Sequence, residues 1–253
     1  MKANEEWNPL VPTGNRIKST NFNQRKPASR NPSHIVIHVT GTKNLASVKN
    51  TFTVQNSVSA HYLVDDAGHL FQFVPDAARA FHSGIDRSTA SLYRKPQKEW
   101  QKYLKYFSWY KRYPQNSIYL DGDLNPVWDK TEAAFVALPD GKPWDHFQYF
   151  NDRWSSEKPI NFDVDPDPNN YSIGIETLGI GSSTPDPTIY SDAMYIALRK
   201  LVSSLCEKYK IPNKKGIVVG HEDVNPIGRF GWDPARGFEW DRVHDASPQT
   251  KNN

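Results

Sequence analysis

A short β-branched run most constrains the fold of this chain. Apolar residues fill the segment IVIHV, from Ile35 to Val39, and Gly41 follows it in a turn. A run this short that is apolar on both faces is typical of a buried strand rather than a helix. His38 stands near its end, so the sequence predicts an interior strand that carries a histidine to the edge of a sheet.

Further segments alternate between strand and helix character. SAHYLVDDAGHLFQFVP predicts two strands joined by a turn at Asp66 to Gly68, YSIGIETLG predicts another strand, and GIVVGHED predicts a last short strand that delivers His221. ASVKNTFTVQ indicates a short helix, and an apolar stripe predicts a longer one from about Asp192 to Lys210. This order predicts an α/β fold, with a central mixed β-sheet flanked by helices in a single domain.

Composition separates the remaining segments. Residues 1–30 are polar and rich in Pro, Asn, Lys and Arg, which predicts an extended N-terminal arm. Between about residues 85 and 170 the pattern changes, and EWQKYLKYFSWYKRY is aromatic at seven of fifteen positions. We predict a long aromatic-rich insertion there, and a polar tail at residues 246–253.

Charge and cysteine content narrow the class of protein. A net charge of +3 is mild, so it does not imply nucleic acid as a partner. The single cysteine, Cys206, excludes an internal disulfide framework and is predicted to be buried in the long helix. The N-terminus lacks an apolar run of signal-peptide length, and no window approaches the roughly 20 apolar residues of a membrane span. We therefore expect no membrane span and synthesis in the cytoplasm without a cleavable signal.

Three polar residues suggest a metal site. His38 and His221 close two predicted strands, and Asp233 follows His221 in a loop rich in Gly and Pro that can fold back. Two histidines and one carboxylate are an established ligand set for catalytic zinc, which keeps a fourth position open. The residues alone leave two alternatives, a zinc site or three unrelated polar side chains.

Four runs resemble a known family. In order they are IVIHVTGT, VSAHYLVDDAGHLFQFVPDAARAFHSG, YSIGIETLG and GHEDVNPIGRFGWDPARGFEW. Together they resemble the zinc-dependent N-acetylmuramoyl-L-alanine amidases of the superfamily that holds recycling amidases, phage-lysozyme-type amidases and peptidoglycan recognition proteins. The resemblance implies an amidase domain at residues 31–245, Zn²⁺ held by His38, His221 and Asp233, and Glu176 as the catalytic general base.

One position departs from the family pattern. The family commonly has a lysine two residues before the third ligand, and this chain has Gly231 there. The nearest cation is Arg229, which we expect to stabilise the oxyanion in place of the lysine; the alternative is that the role is absent. His82, in AFHSG, and Trp232, beside the third ligand, are predicted to bind substrate.

The resemblance implies hydrolysis of the amide between N-acetylmuramic acid and L-alanine in peptidoglycan or muropeptides. The sequence leaves open a recycling amidase in the cytoplasm and a lytic enzyme, either a phage endolysin or a secreted antibacterial effector. A lytic enzyme would reach the periplasm or cell wall by lysis or by export without a signal peptide, with an immunity or secretion-system protein as partner. A non-catalytic peptidoglycan-recognition module is the alternative from another class, and it is expected to lack the third ligand.

Overall fold

The computed structural model describes residues 6–25, 31–84, 119–120, 126–127, 167–181, 189–225, 229, 232–235 and 237–245. The predicted insertion lies almost wholly outside the described residues, as does the polar tail at 246–253. No helix in the described ranges is both long enough and apolar enough to cross a membrane.

The described elements follow the predicted order closely. They are β1 (Phe22–Gln24), β2 (His34–Val39), α1 (Leu45–Thr53), β3 (Tyr62–Val64), β4 (Leu70–Gln72), β5 (Ala78–Ala80), β6 (Tyr119–Leu120), β7 (Pro126–Val127), β8 (Ser172–Thr177), α2 (Asp192–Tyr209), β9 (Val218–Gly220) and α3 (His221–Val224). Short 3-10 turns lie at Thr13–Asn15, Pro168–Asn170 and Trp240–Arg242.

Five strands form the central sheet, in the order β4-β3-β8-β2-β9. β3 and β4 pair antiparallel, whereas β3–β8, β8–β2 and β2–β9 pair parallel. The sheet is therefore mixed, and the predicted α/β class is confirmed. The parallel register sets His38 directly beside Glu176.

One face of β2 and β8 is apolar and builds the main core. Ile35, Ile37, Ile173 and Ile175 belong to a single buried cluster with residues of α2, namely Met194, Tyr195, Leu198, Leu201, Val202, Leu205 and Cys206. Burial raises the pKa of the Cys206 thiol to about 11, so the cysteine is the buried, inert side chain that its position predicted.

The opposite face of β8 carries small and polar side chains. Ser172, Gly174 and Glu176 alternate with the core isoleucines, and successive side chains of a strand point to opposite faces. Because His38 is the register partner of Glu176, it lies on this same face. The polar face therefore leaves room for side chains that do not belong to the core.

Residues 6–25 differ from the extended arm that their polar composition predicts. β1 pairs antiparallel with β5, and Asn8, Ser19, Asn21 and Arg25 are buried. The reason is that their polar groups find partners inside the fold: Asn21 Nδ2 donates to the Phe52 and Val54 carbonyls. Buried polar groups are tolerated when they are hydrogen-bonded, which composition alone does not reveal.

Candidate metal centre

The site lies where three neighbouring parallel strands end. His38 is near the end of β2, Glu176 near the end of β8, and His221 directly follows β9. Because parallel strands have their carboxyl ends at one edge, the central sheet brings together side chains from distant parts of the sequence. His38 and His221 are both buried, and their ring centroids are 4.7 Å apart.

A hydrogen-bonded loop returns Asp233 to this edge. The Glu222 N–H donates to the Asp233 carbonyl at 2.7 Å, and the Val39 N–H donates to Asp233 Oδ1 at 3.0 Å. Gly220 makes the return possible, since a Cβ on it would lie 2.4 Å from Pro234 Cδ. These contacts fix the Asp233 carboxylate beside both histidines.

The three donor atoms converge on one point. They lie within 4.8 Å of one another, with Asp233 Oδ2 2.9 Å from His221 Nδ1 and 3.7 Å from His38 Nδ1. Tetrahedral zinc, with ligands at 2.0–2.1 Å, separates donors by about 3.3 Å, a value between these two distances. Two nitrogens and a carboxylate oxygen are also the donor types that zinc prefers, so the residues fit a zinc ion.

The hydrogen bond on the far side of His221 supports the same conclusion. His221 Nε2 lies 2.9 Å from the Gly84 carbonyl, which can only accept, so Nε2 carries the proton. In a neutral ring Nδ1 is then an acceptor that faces a carboxylate oxygen, which is also an acceptor. A cation between His221 Nδ1 and the Asp233 oxygen, such as a metal ion, would accept a lone pair from each of them.

Burial sets the protonation of the ligands. It lowers the pKa of His38 to about 4, although Asp233 opposes the shift, so the ring is neutral and keeps a lone pair at neutral pH. Burial alone would raise the pKa of Asp233, but the adjacent imidazoles of His221 and His38 hold it below its ordinary value. A neutral imidazole and an ionised carboxylate are the forms that bind metal.

Glu176 stands beside the three ligands with one carboxylate oxygen unpartnered. Its Oε2 atom is buried and makes no hydrogen bond with the described residues. Burial raises the pKa of Glu176 well above its ordinary range and the charge of Asp233 raises it further, whereas Arg229 lowers it. A carboxyl group with an unpartnered oxygen at the wall of a cavity is available for proton transfer.

A cavity of about 390 Å³ opens over these residues. Arg229 and Trp232 border it, and the Arg229 guanidinium lies 4.6 Å from the centre of a Trp232 ring in a cation–π contact. The opposite wall comes from α1 and the loops around it, including Thr42, Ser47, Thr51, Phe52 and Val58. This wall was not predicted from the sequence, because the residues of α1 that line it, Ser47, Val48, Thr51 and Phe52, carry neither a charge nor an imidazole that would mark them.

His82, predicted to bind substrate, lines the cavity but is buried, and its ring nitrogens lie 3.0 Å from His38 Nε2 and 3.3 Å from Ser172 Oγ. This geometry favours support of His38 over contact with a substrate. His61 is fully buried and accepts a hydrogen bond from the Gly174 N–H at Nδ1, as expected of a structural histidine.

The mixed sheet and the buried site of two histidines and one aspartate define the class: an α/β domain with a single-metal centre at the carboxyl edge of its parallel strands. The chain belongs to the N-acetylmuramoyl-L-alanine amidase family Amidase_2, whose model matches residues 28–236.

Individual relatives agree with the family. The chain is 34% identical over 93 residues to the 1,6-anhydro-N-acetylmuramyl-L-alanine amidase AmpD of Haemophilus influenzae, covering 37% of this chain and 46% of the relative. It is 36% identical over 76 residues to AmpD of Enterobacter cloacae, covering 30% of this chain and 36% of the relative. The matched stretches thus span less than half the length of these curated relatives.

A solved structure shares the fold. The crystal structure of a selenomethionine derivative of AmpD aligns with a TM-score of 0.52 and 20% identity, over 96% of this chain and 97% of that one. At this identity the likeness supports the α/β fold.

Proposed function

We propose that this chain hydrolyses the amide bond between N-acetylmuramic acid and L-alanine in peptidoglycan or its fragments. The observation that carries the proposal is the convergence of the His38, His221 and Asp233 donor atoms within 4.8 Å, in a member of this amidase family. The complete ligand set favours an enzyme over a recognition module that binds without cleaving.

His38, His221 and Asp233 are the residues that would hold zinc. Zinc bound there would supply a Lewis acid that polarises a carbonyl and makes a water acidic enough to lose its proton near neutral pH. The Asp233 carboxylate would offset part of the metal's charge, and the Val39 N–H keeps its other oxygen, Oδ1, in place. The buried histidines exclude bulk water from their side of the site.

Glu176 serves as the general base in this proposal. Its unpartnered Oε2 faces no competing donor among the described residues, so it is free to take a proton from the attacking water. The same carboxyl group then passes the proton to the nitrogen of the leaving L-alanine. One residue thus handles both proton transfers without a covalent intermediate.

Arg229 and Trp232 form the other side of the proposed reaction site. The guanidinium, stacked on Trp232, supplies a permanent positive charge that would stabilise the developing oxyanion where other family members use lysine. The Trp232 ring at the rim of the cavity would contact the substrate as it holds Arg229 in place.

The test begins with the purified protein and intact sacculi. We expect about one zinc per chain and release of peptides that begin with L-alanine, identified by mass, with both lost on chelation. Glu176→Gln should keep its zinc and lose about 10²–10⁴-fold in turnover, because it removes only the base. Zinc-loaded protein that binds sacculi and releases nothing would support the recognition module instead.

A second comparison addresses the biological role. Turnover on intact sacculi and on soluble anhydro-muropeptides is measured with the same preparation. A strong preference for soluble fragments supports a recycling amidase, and efficient release from sacculi supports a lytic enzyme. The predicted partners of a lytic enzyme, an immunity or secretion-system protein, follow only from the second result.

A further inference from the structure

We infer that His82 is a positioning residue that fixes the tautomer of the metal ligand His38. The inference rests on the proposed function in one respect, since it takes His38 as a ligand through Nδ1. It goes beyond that function because it assigns a task to a buried histidine that takes no part in proton transfer or substrate binding.

A chain of hydrogen bonds runs from Ser172 through His82 to His38, and its donor-to-acceptor direction is fixed at Ser172. Ser172 Oγ donates to the Pro168 carbonyl at 2.7 Å, and this carbonyl can only accept. The hydroxyl proton is thereby committed, so Ser172 Oγ meets His82 Nε2, 3.3 Å away, as an acceptor. His82 Nε2 must then carry a proton.

The direction propagates through the His82 ring to the ligand. In a neutral imidazole with a proton on Nε2, Nδ1 is an acceptor. His82 Nδ1 lies 3.0 Å from His38 Nε2, so His38 donates this hydrogen bond and carries its proton on Nε2. The lone pair of His38 therefore lies on Nδ1, the atom that faces Asp233 Oδ2.

The surrounding fold holds the His82 ring in place. A Cβ on Gly174 would lie 2.3 Å from His82 Cγ, so the ring packs over a strand position that has no side chain. The backbone N–H groups of His82 and Ser83 both donate to Asn169 Oδ1, at 3.0 and 2.8 Å. Ring and backbone are both fixed, which a residue that orients another side chain requires.

The segment from His82 to Gly84 thereby accepts a hydrogen bond from each of the two histidine ligands. His82 accepts from His38 Nε2, and the Gly84 carbonyl accepts from His221 Nε2. Each ligand is left with Nδ1 directed toward the carboxylate. Partners of this kind orient metal-bound histidines, and their loss commonly costs 10–100-fold in metal affinity.

Two measurements test the inference without any activity assay. Long-range ¹H–¹⁵N spectra of the metal-free protein should show the protons of His38 and His82 on Nε2. Chelator competition should give zinc binding about 10–100-fold weaker for His82→Leu, which fills the space but cannot accept. His82→Asn should recover most of that loss, because its Oδ1 can occupy the place of Nδ1.

Controls separate positioning from folding. His69→Asn alters a histidine between β3 and β4 whose ring bonds Asp65, away from His82 and His38, and we expect its zinc affinity to match the wild type. If His82→Leu does not fold, Ser172→Ala removes only the far end of the chain and should weaken zinc binding by a smaller factor. A proton on His82 Nδ1, or unchanged zinc affinity in both His82→Leu and Ser172→Ala, overturns the inference.

These results are independent of the proposed amidase reaction. The expected tautomers and affinities in a protein that cleaves no muropeptide would remove the proposed function and keep the role of His82. Normal cleavage with the opposite tautomers would do the reverse.

Discussion

At the scale of single residues, Arg229 is the side chain whose proposed task departs from the family pattern, which has a lysine in this loop. Its charge lowers the pKa values of both Glu176 and His38, so it lies close enough to the reaction site to affect the charges there. Stacking on Trp232 restricts the guanidinium without using any of its hydrogen-bond donors. A cation held in this way can meet an oxyanion with its N–H groups still available.

We predict that Arg229→Ala lowers kcat about 10²–10³-fold on a soluble muropeptide, as the loss of one oxyanion-stabilising group does elsewhere. The zinc content should not change, because Arg229 binds none of the proposed ligands. Steady-state kinetics and metal analysis on the same preparation provide the measurement.

Arg229→Lys is the informative companion variant. It keeps the positive charge but replaces a planar, stacking group with a compact ammonium, so we expect partial recovery of kcat. Arg199→Ala, at an exposed position of α2, is the matched control and should behave as the wild type. An Arg229→Ala enzyme with full kcat would show that the oxyanion is stabilised without this side chain.

At the scale of elements, the site depends on how closely the Asp233 loop approaches the end of β9. Gly220, the last residue of β9, lies under Pro234, and a Cβ there would be 2.4 Å from Pro234 Cδ and 3.4 Å from the Asp233 carbonyl oxygen. Well-packed regions do not absorb an added methyl group without movement. At Gly220 an added methyl group would displace the loop of Asp233 and Pro234, and Asp233 is one of the three proposed zinc ligands.

We predict that Gly220→Ala costs about 1–3 kcal/mol in the free energy of unfolding and also weakens zinc binding, because it displaces Asp233. Urea denaturation and chelator competition measure the two effects. Gly14→Ala adds the same methyl group where no atom lies within 4 Å, so it should change neither quantity. Zinc affinity that survives in Gly220→Ala would mean that the loop adjusts around the methyl group.

The elements themselves were largely predictable, whereas their polar contacts were not. β2, β8 and α2 follow from short apolar runs and a 3.6-residue stripe, which local sequence determines. The return of Asp233 depends on hydrogen bonds from Glu222 and Val39. The residues alone therefore left a metal site as one of two alternatives, and the family resemblance favoured it. The hydrogen bond between His221 and the Gly84 carbonyl could not be predicted from residue type, since every residue carries a backbone carbonyl group.

At the scale of the whole molecule, Arg25 joins the N-terminal segment to the sheet that bears the site. Its guanidinium donates to the carbonyls of Asp76, Asn169, Asn170 and Ser172 at 2.9–3.2 Å and is buried. Polar composition predicts an extended arm here, because it counts charged groups without showing which of them lie inside the fold. The predicted arm is, over residues 6–25, part of the packed domain.

We predict that Arg25→Met lowers the free energy of unfolding by about 3–5 kcal/mol, because it removes several charge-assisted hydrogen bonds and leaves four carbonyls to find other donors. Arg16→Met provides the control within the same segment: Arg16 Nε donates to one carbonyl, that of Val11, so its loss should cost about 1 kcal/mol. Urea denaturation measures the free energy of unfolding of the two variants and of the wild type. Equal costs would mean that the buried hydrogen bonds of Arg25 contribute no more to stability than the single one of Arg16. A large cost for Arg25→Met alone would make this segment part of the scaffold that holds Ser172, and through it His82 and His38, in place.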